Sequence, residues 1–254
     1  MYDAPIFAWI LVLMGAIGVP AITCVALFRS GTAAGLSRQS AIGVAAGFGV
    51  ALGGWLALSG ALAGAGAYEN GLLIAATGAL LALLLATRFP LVSRILAQPG
   101  GIAWFTWPHA LRVVGIVWLL LLARGDLPAG FAVPAGLGDI AVGLAAPFVA
   151  RELARSTDSA AITRATRFHL FGLLDLAVAV AAATAVAPSP GSFFAVGPSL
   201  AALSLLPLAL NVTVAVPLFV ALHLVSLRQL RAAARINASA GGKRQTGQLG
   251  SVRA

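Results

Sequence analysis

Residues 5–28 read PIFAWILVLMGAIGVPAITCVALF, and Arg29 follows. No charge interrupts the run, and as a helix it is long enough to cross a hydrocarbon core about 30 Å thick. It reads as a first membrane span, not a secretory leader. Asp3 stands where a leader carries Lys or Arg, and no small-residue cleavage pattern follows a short apolar region. Further runs of the same kind lie at Ser40–Ala63, Gly71–Ala86, Thr106–Ala123, Phe131–Ala150, Arg167–Val186 and Leu208–Leu227. Only helices suit such runs, because backbone groups in lipid must be satisfied within the segment.

Composition supports that reading. Hydrophobic residues make up 60% of the chain and charged residues 9%, against about a quarter charged in soluble domains. The sequence predicts an all-α integral membrane protein, a bundle of seven transmembrane helices. Residues 1–236 form the membrane domain. Residues 237–254, rich in Gly, Ser, Gln and charge, form a disordered basic tail.

The net charge of +9 could suggest nucleic acid, but no basic stripe with interleaved aromatics accompanies it. The basic residues sit in short connections instead. Arg29, Arg38, Arg88, Arg94, Arg151, Arg155, Arg164, Arg167, Arg228, Arg231, Arg235, Lys243, Arg244 and Arg253 fall on one side, 14 of the 16 Lys and Arg. Arg124 falls opposite and Arg112 lies within a span. The positive-inside rule makes the rich side cytoplasmic. The N-terminus is then outside, the C-terminus cytoplasmic, and the expected location is the cell (inner) membrane.

Two stretches depart from simple spans. Arg88–Trp107 interleaves Leu91, Ile95 and Leu96 with arginines and ends in Trp104 and Trp107, a composition suited to the headgroup boundary. Ala195–Leu227 is too long for one span, and an eighth would put the basic tail outside. A re-entrant or interfacial piece at Ser199–Leu206, with Pro207 and Pro217 allowing breaks, resolves this. The polar loop Arg151–Arg167 has a helix-cap candidate in Asp158.

Ionisable groups inside spans are expensive and mark function by default. Six are present: His109, Arg112, Asp139, His169, Asp175 and His223. At the helical rise, Arg112 lies roughly 8 Å, Asp175 roughly 12 Å and Asp139 roughly 16 Å from the cytoplasmic boundary. An Arg112–Asp175 or an Arg112–Asp139 pair follows. Ala135, Asp139 and Gly143 share one helix face, and Gly172, Asp175 and Ala179 another. Small residues beside each Asp predict close packing of the two helices. A short echo, Gly136-Leu-Gly-Asp-Ile-Ala-Val against Gly172-Leu-Leu-Asp-Leu-Ala-Val, sets Asp139 and Asp175 in equivalent places. One arginine balances only one of the two carboxylates, so the other must be protonated, wet or bound. Asn211 joins them as an interhelical hydrogen-bonding group; its N-x-T string lies inside the membrane, where it is not glycosylated.

His109, His169 and His223 fall at similar depth near the cytoplasmic boundary. They suit a boundary position as amphipathic side chains, or they form a three-His metal site or a bis-His haem site. The first two are expected at helix N-termini, where the macrodipole favours the neutral imidazole a metal needs.

Several classes are excluded. No nucleotide-binding or nucleophile-elbow motif occurs. The lone Cys24 forms no intrachain disulfide or cysteine cluster. The single lysine, Lys243, lies in the tail, so a retinal Schiff base has no core partner. Three functions remain, in this order. The first is a small-solute transporter or carrier, proton-coupled through Asp139 and Asp175, with Arg112 and Asn211 in the site. The second is an intramembrane metal- or haem-dependent enzyme acting on a lipid or quinone. The third is a non-catalytic membrane subunit. The lipid bilayer is the one partner the sequence assigns.

Overall fold

The computed structural model describes residues 3–68, 71–98, 100–186 and 200–251. Every regular element among them is helical. Helices α1 (Ile6–Ala33), α2 (Arg38–Gly64) and α3 (Leu72–Ala86) lead to α4 (Pro90–Leu96), which turns 86° from α3. A continuous rod, Gly101–Ala123, then combines α5 (Gly101–Thr106), a 3-10 segment (Trp107–Gly115) and α6 (Ile116–Ala123). Helices α7 (Ala129–Arg155) and α8 (Ser159–Val186) follow. The last rod joins α9 (Leu208–Leu210), a π segment (Asn211–Ala215) and α10 (Val216–Ser251). Among the described residues, six helices are long and apolar enough to cross a membrane, and the bent α3–α4 pair, counted as one span, makes seven.

The seven apolar runs all fall on these rods, but the helices outrun them. The fourth rod starts at Gly101 rather than Thr106, and α8 starts at Ser159 rather than Arg167. Hydropathy marks where a helix leaves lipid, whereas caps mark where it ends. Asp158 caps α8, its Oδ1 accepting from Ala161 N–H at 2.8 Å, which holds this carboxyl below its ordinary range. The polar loop at Arg151–Arg167 is therefore two helix ends joined at residues 156–158, with Glu152 and Arg164 paired across them.

Apolar side chains face outward in helical register. Ile6, Ile10, Met14 and Ile17 are exposed on α1, and Leu137, Leu144 and Phe148 on α7. Spacings of three, four and seven draw an apolar stripe along one face. The last rod is the centre of the bundle, with 72% of its most apolar window buried against 17% for α2.

Contacts gather the arginine-bearing connections at one end. The Arg29 guanidinium lies 5.0 Å from the Trp104 ring, and that of Arg151 lies 5.2 Å from Trp107. Arg228 donates to Thr87 Oγ1 at 3.4 Å, and Asn237 to Thr157 O at 2.8 Å. Pro90 opens α4, which exposes Phe89 and Leu91 and buries Ile95. That sidedness suits the interfacial position read from Arg88–Trp107. At the opposite end Arg124 is neutralised by Asp126, Nε to Oδ2 at 2.9 Å. Arg253 lies outside the described residues.

The awkward stretch before the last rod begins outside the described residues, at positions 195–199. Leu200–Ser204 forms a 3-10 turn whose Ala202 and Leu203 pack into the core with α1, α6 and α7. The break sits between the two prolines, in the π segment. Pro217 has no N–H, so the carbonyl four residues earlier loses its helical donor. Trp55 replaces it: its Nε1 donates to Thr213 O at 2.8 Å. The helix then continues through Ser251, past the boundary read at Ile236.

Candidate functional site

The site is built on the 3-10 segment Trp107–Gly115. Pro108 cannot donate the backbone bond that an α-helix would direct to Trp104 O, and the chain tightens. With 3.0 residues per turn, side chains three apart eclipse. His109, Arg112 and Gly115 therefore stack along one line, and all three are buried.

Arg112 is the hub. Its Nε donates to Asp139 Oδ1 at 2.7 Å, its Nη2 to Asp175 Oδ2, and its Nη1 to Gly172 O at 3.1 Å. The two ion pairs expected as alternatives form together on one guanidinium. Trp118 Nε1 donates to Asp139 Oδ2 at 3.2 Å. A buried charge persists only where such partners replace water, and the rigid fork of arginine supplies several donors from one side chain.

Glycines make the room. A Cβ on Gly138 would overlap the Asp175 carboxylate, and one on Gly115 would overlap Asp139. A Cβ on Gly172 would meet the His223 ring, and one on Gly143 the backbone of Val113. The expected close packing of α7 and α8 is present, but its contacts are redistributed. Gly138 is the residue that admits Asp175, while Gly143 serves the 3-10 segment and Gly172 serves α10.

Asp139 and Asp175 form the floor of a cavity of about 550 Å3. Its other polar lining includes Asn211 and Ser204, with Trp118 and Phe131 among its aromatic walls. It runs to Tyr68 and Thr184, near the end opposite the arginines. The Asp139 and Asp175 side chains are 17% and 8% exposed, that of Arg112 0%. A guest therefore meets carboxylates, with Arg112 behind them.

Beyond Arg112 lies a histidine cluster. His109, His169 and His223 come from three different rods, and all are fully buried. One ring nitrogen from each lies within 4.8 Å of the others. The three rings meet at one level of the bundle, but they do not stand at helix N-termini, since the rods begin at Gly101 and Ser159. Hydrogen bonding fixes the tautomers instead. Arginine only donates, so His223 Nε2, 3.3 Å from Arg112 Nη1, accepts. In a neutral ring the proton is then on Nδ1, which faces His169 Nδ1 at 2.8 Å. His169 accepts there and points Nε2–H at Thr106 Oγ1, 3.4 Å away, and Thr106 donates on to Ile102 O at 2.8 Å. His109 stacks on His223 with centroids 3.8 Å apart, and neither of its ring nitrogens has a hydrogen-bond partner among the described residues. A buried polar atom left so costs about 1–3 kcal/mol. The rings touch one another and leave no slot between them for a porphyrin.

The polar line continues down α10, where His223, Ser226 and Gln229 recur every third residue and are all buried. Ser226 Oγ and Gln229 Oε1 have no hydrogen-bond partner among the described residues. Gln229 Nε2 reaches Leu96 O, and a Cβ on Gly101 would touch both Gln229 and Ser30. Sequence reading missed Ser226 and Gln229. Their three-residue spacing from His223 was the signal available.

From the arginine-poor end to the arginine-rich end the order is cavity, paired carboxylates, Arg112, three histidines, then Ser226 and Gln229. No curated protein and no solved structure matches the chain. Asp139, Asp175, Asn211, Arg112, the three histidines, Ser226 and Gln229 all fall within residues 70–231, which match a domain of unknown function (DUF8737), and the chain belongs to that family.

Proposed function

We propose that this protein is a membrane carrier for a small, largely apolar cation, taken into the cavity at Asp139 and Asp175 and coupled to their protonation. One observation carries the reading: two carboxylates at the floor of a cavity of about 550 Å3 share a single arginine. Two ionised aspartates and one guanidinium leave one negative charge, which a proton or a singly charged amine would balance. The volume is that of a small-molecule site, and the apolar walls suit a hydrocarbon body. Placement on an interrupted rod near mid-bundle also fits a carrier. The last rod supplies Asn211 from its π segment.

In this reading Arg112 is the closed gate. It separates the cavity from the histidine side of the same polar line. Binding a cation would compete with Arg112 for Asp139 and Asp175 and so weaken the closure. The basic connections support a cytoplasmic arginine-rich end in the cell membrane, so the cavity would face outward.

Uptake of radiolabelled methylammonium and of larger primary amines into proteoliposomes tests this, with an internal pH dye reporting proton movement. Wild-type protein should accumulate at least one of the amines. Asp139→Asn and Asp175→Asn should each reduce uptake about tenfold or more, the scale of a lost charge-assisted contact. Full activity in both variants would sink the proposal.

A further inference from the structure

We infer that His109, His169 and His223 form a binding site for one late first-row transition-metal ion, Zn(II) or Cu(I), on the side of Arg112 away from the cavity. The inference does not depend on the carrier reading.

Three observations support it. The donor atoms are gathered within 4.8 Å from three separate rods, with all three rings out of contact with the surface. His109 brings two ring nitrogens that have no hydrogen-bond partner among the described residues. His169 is already oriented as a ligand. Its Nδ1 accepts from His223, while its Nε2 faces Thr106 Oγ1 at 3.4 Å. Metal-bound histidines hold their other nitrogen against an oxygen in this way, which fixes ring and tautomer. Three imidazoles with no carboxylate or thiolate among them suit zinc and copper, not magnesium or calcium.

The ring geometry also shows what loading requires. His223 Nδ1 and His169 Nδ1 are 2.8 Å apart, with the His223 proton between them. Metal–nitrogen bonds of about 2.0–2.1 Å separate tetrahedral ligands by about 3.3 Å, so His169 and His223 part slightly as the ion enters and His109 turns out of its stack on His223 to aim a nitrogen at it. The His223 proton moves from Nδ1 to Nε2, and no proton is lost. Nε2 then carries the proton and no longer accepts from Arg112, whose Nη1 keeps Gly172 O. Occupancy is thereby linked to the side chain that holds Asp139 and Asp175. The one negative charge left by Asp139, Asp175 and Arg112 matches the charge of Cu(I) and offsets half that of Zn(II), and Ser226 and Gln229 supply a polar path from the arginine-rich end.

The test is metal analysis of the detergent-purified full chain, its affinity tag removed, after incubation with Zn(II) or with Cu(I) and desalting. Wild-type protein should retain about one equivalent of one of them, and His109→Ala and His169→Ala should each fall below about a tenth of that. X-ray absorption on loaded wild type should show imidazole nitrogens at about 2.0–2.1 Å, which keeps the test open if the variants fail to fold. Monodisperse wild-type protein that retains neither ion would overturn the inference. So would a folded His169→Ala variant with wild-type metal content, or a loaded spectrum without imidazole scattering.

Discussion

Gly138 of α7 and Asp175 of α8 occupy adjoining space that admits no additional carbon: a Cβ on Gly138 would lie within the Asp175 carboxylate. The glycine thus sets the position of a charge on a neighbouring helix. Gly138→Ala should displace Asp175 from Arg112 and cost about 1–3 kcal/mol, the usual penalty of overpacking. Gly53→Ala is the control. Nothing lies within 4 Å of a Cβ there, so its effect should stay below about 1 kcal/mol. Thermal unfolding in detergent compares the two. Equal effects would show that the Gly138 contact does not constrain the cluster.

Arg112 binds both carboxylates from a side chain that is 0% exposed. Its loss strands two buried acids. Arg112→Gln should destabilise by about 3–5 kcal/mol, as breaking buried pairs does. Arg112→Lys should recover only part of that, because a single ammonium cannot reproduce the fork that reaches Asp139, Asp175 and Gly172 together. Combining Arg112→Gln with Asp139→Asn and Asp175→Asn should be milder than Arg112→Gln alone, since no unpaired charge remains. Chemical unfolding of the series checks the order, and a triple variant less stable than the single one would refute this account of the hub.

The spans were legible because lipid imposes one rule along the chain, and runs such as 5–28 obey it without exception. The polar residues inside them were legible for the same reason: Arg112, Asp139 and Asp175 stand out where nothing else is charged. Their mutual arrangement was not. At about 3.6 residues per turn His109, Arg112 and Gly115 drift apart around the helix, but the chain there winds as a 3-10 helix and sets them in one line. Hydropathy carries no record of that local winding. Gly138 was hidden in turn because a glycine among Ala, Leu and Val reads as low complexity until a neighbour's carboxylate is seen against it. Helix starts at Gly101 and Ser159 were missed because spans were bounded by apolarity, although Asp158 pointed to the second.

Trp55 and Pro217 make a coupled pair through Thr213 O. The indole donates at 2.8 Å to a carbonyl that proline leaves without a helical donor. Trp55→Phe should therefore cost about 1–3 kcal/mol beyond its packing change, the penalty of an unsatisfied buried carbonyl. Pro217→Ala restores an N–H to the last rod. In that background Trp55→Phe should be about 1 kcal/mol cheaper, a coupling typical of residues sharing one partner. A double-mutant cycle from unfolding curves measures it. Additive costs would mean that the π segment satisfies Thr213 without the tryptophan.

The charge asymmetry predicts an orientation that is open to direct measurement. Cys24 is the single cysteine, so Cys24→Ala gives a background without thiols. Ala65 is exposed in the turn after α2, and Thr157 is exposed between α7 and α8 at the arginine-rich end. Ala65→Cys in intact cells should react with a membrane-impermeant maleimide, and Thr157→Cys should react only after lysis. The reverse pattern would place the arginines outside. It would also turn the cavity floor at Asp139 and Asp175 toward the cytoplasm, and a carrier of this build would then collect its cation from inside the cell.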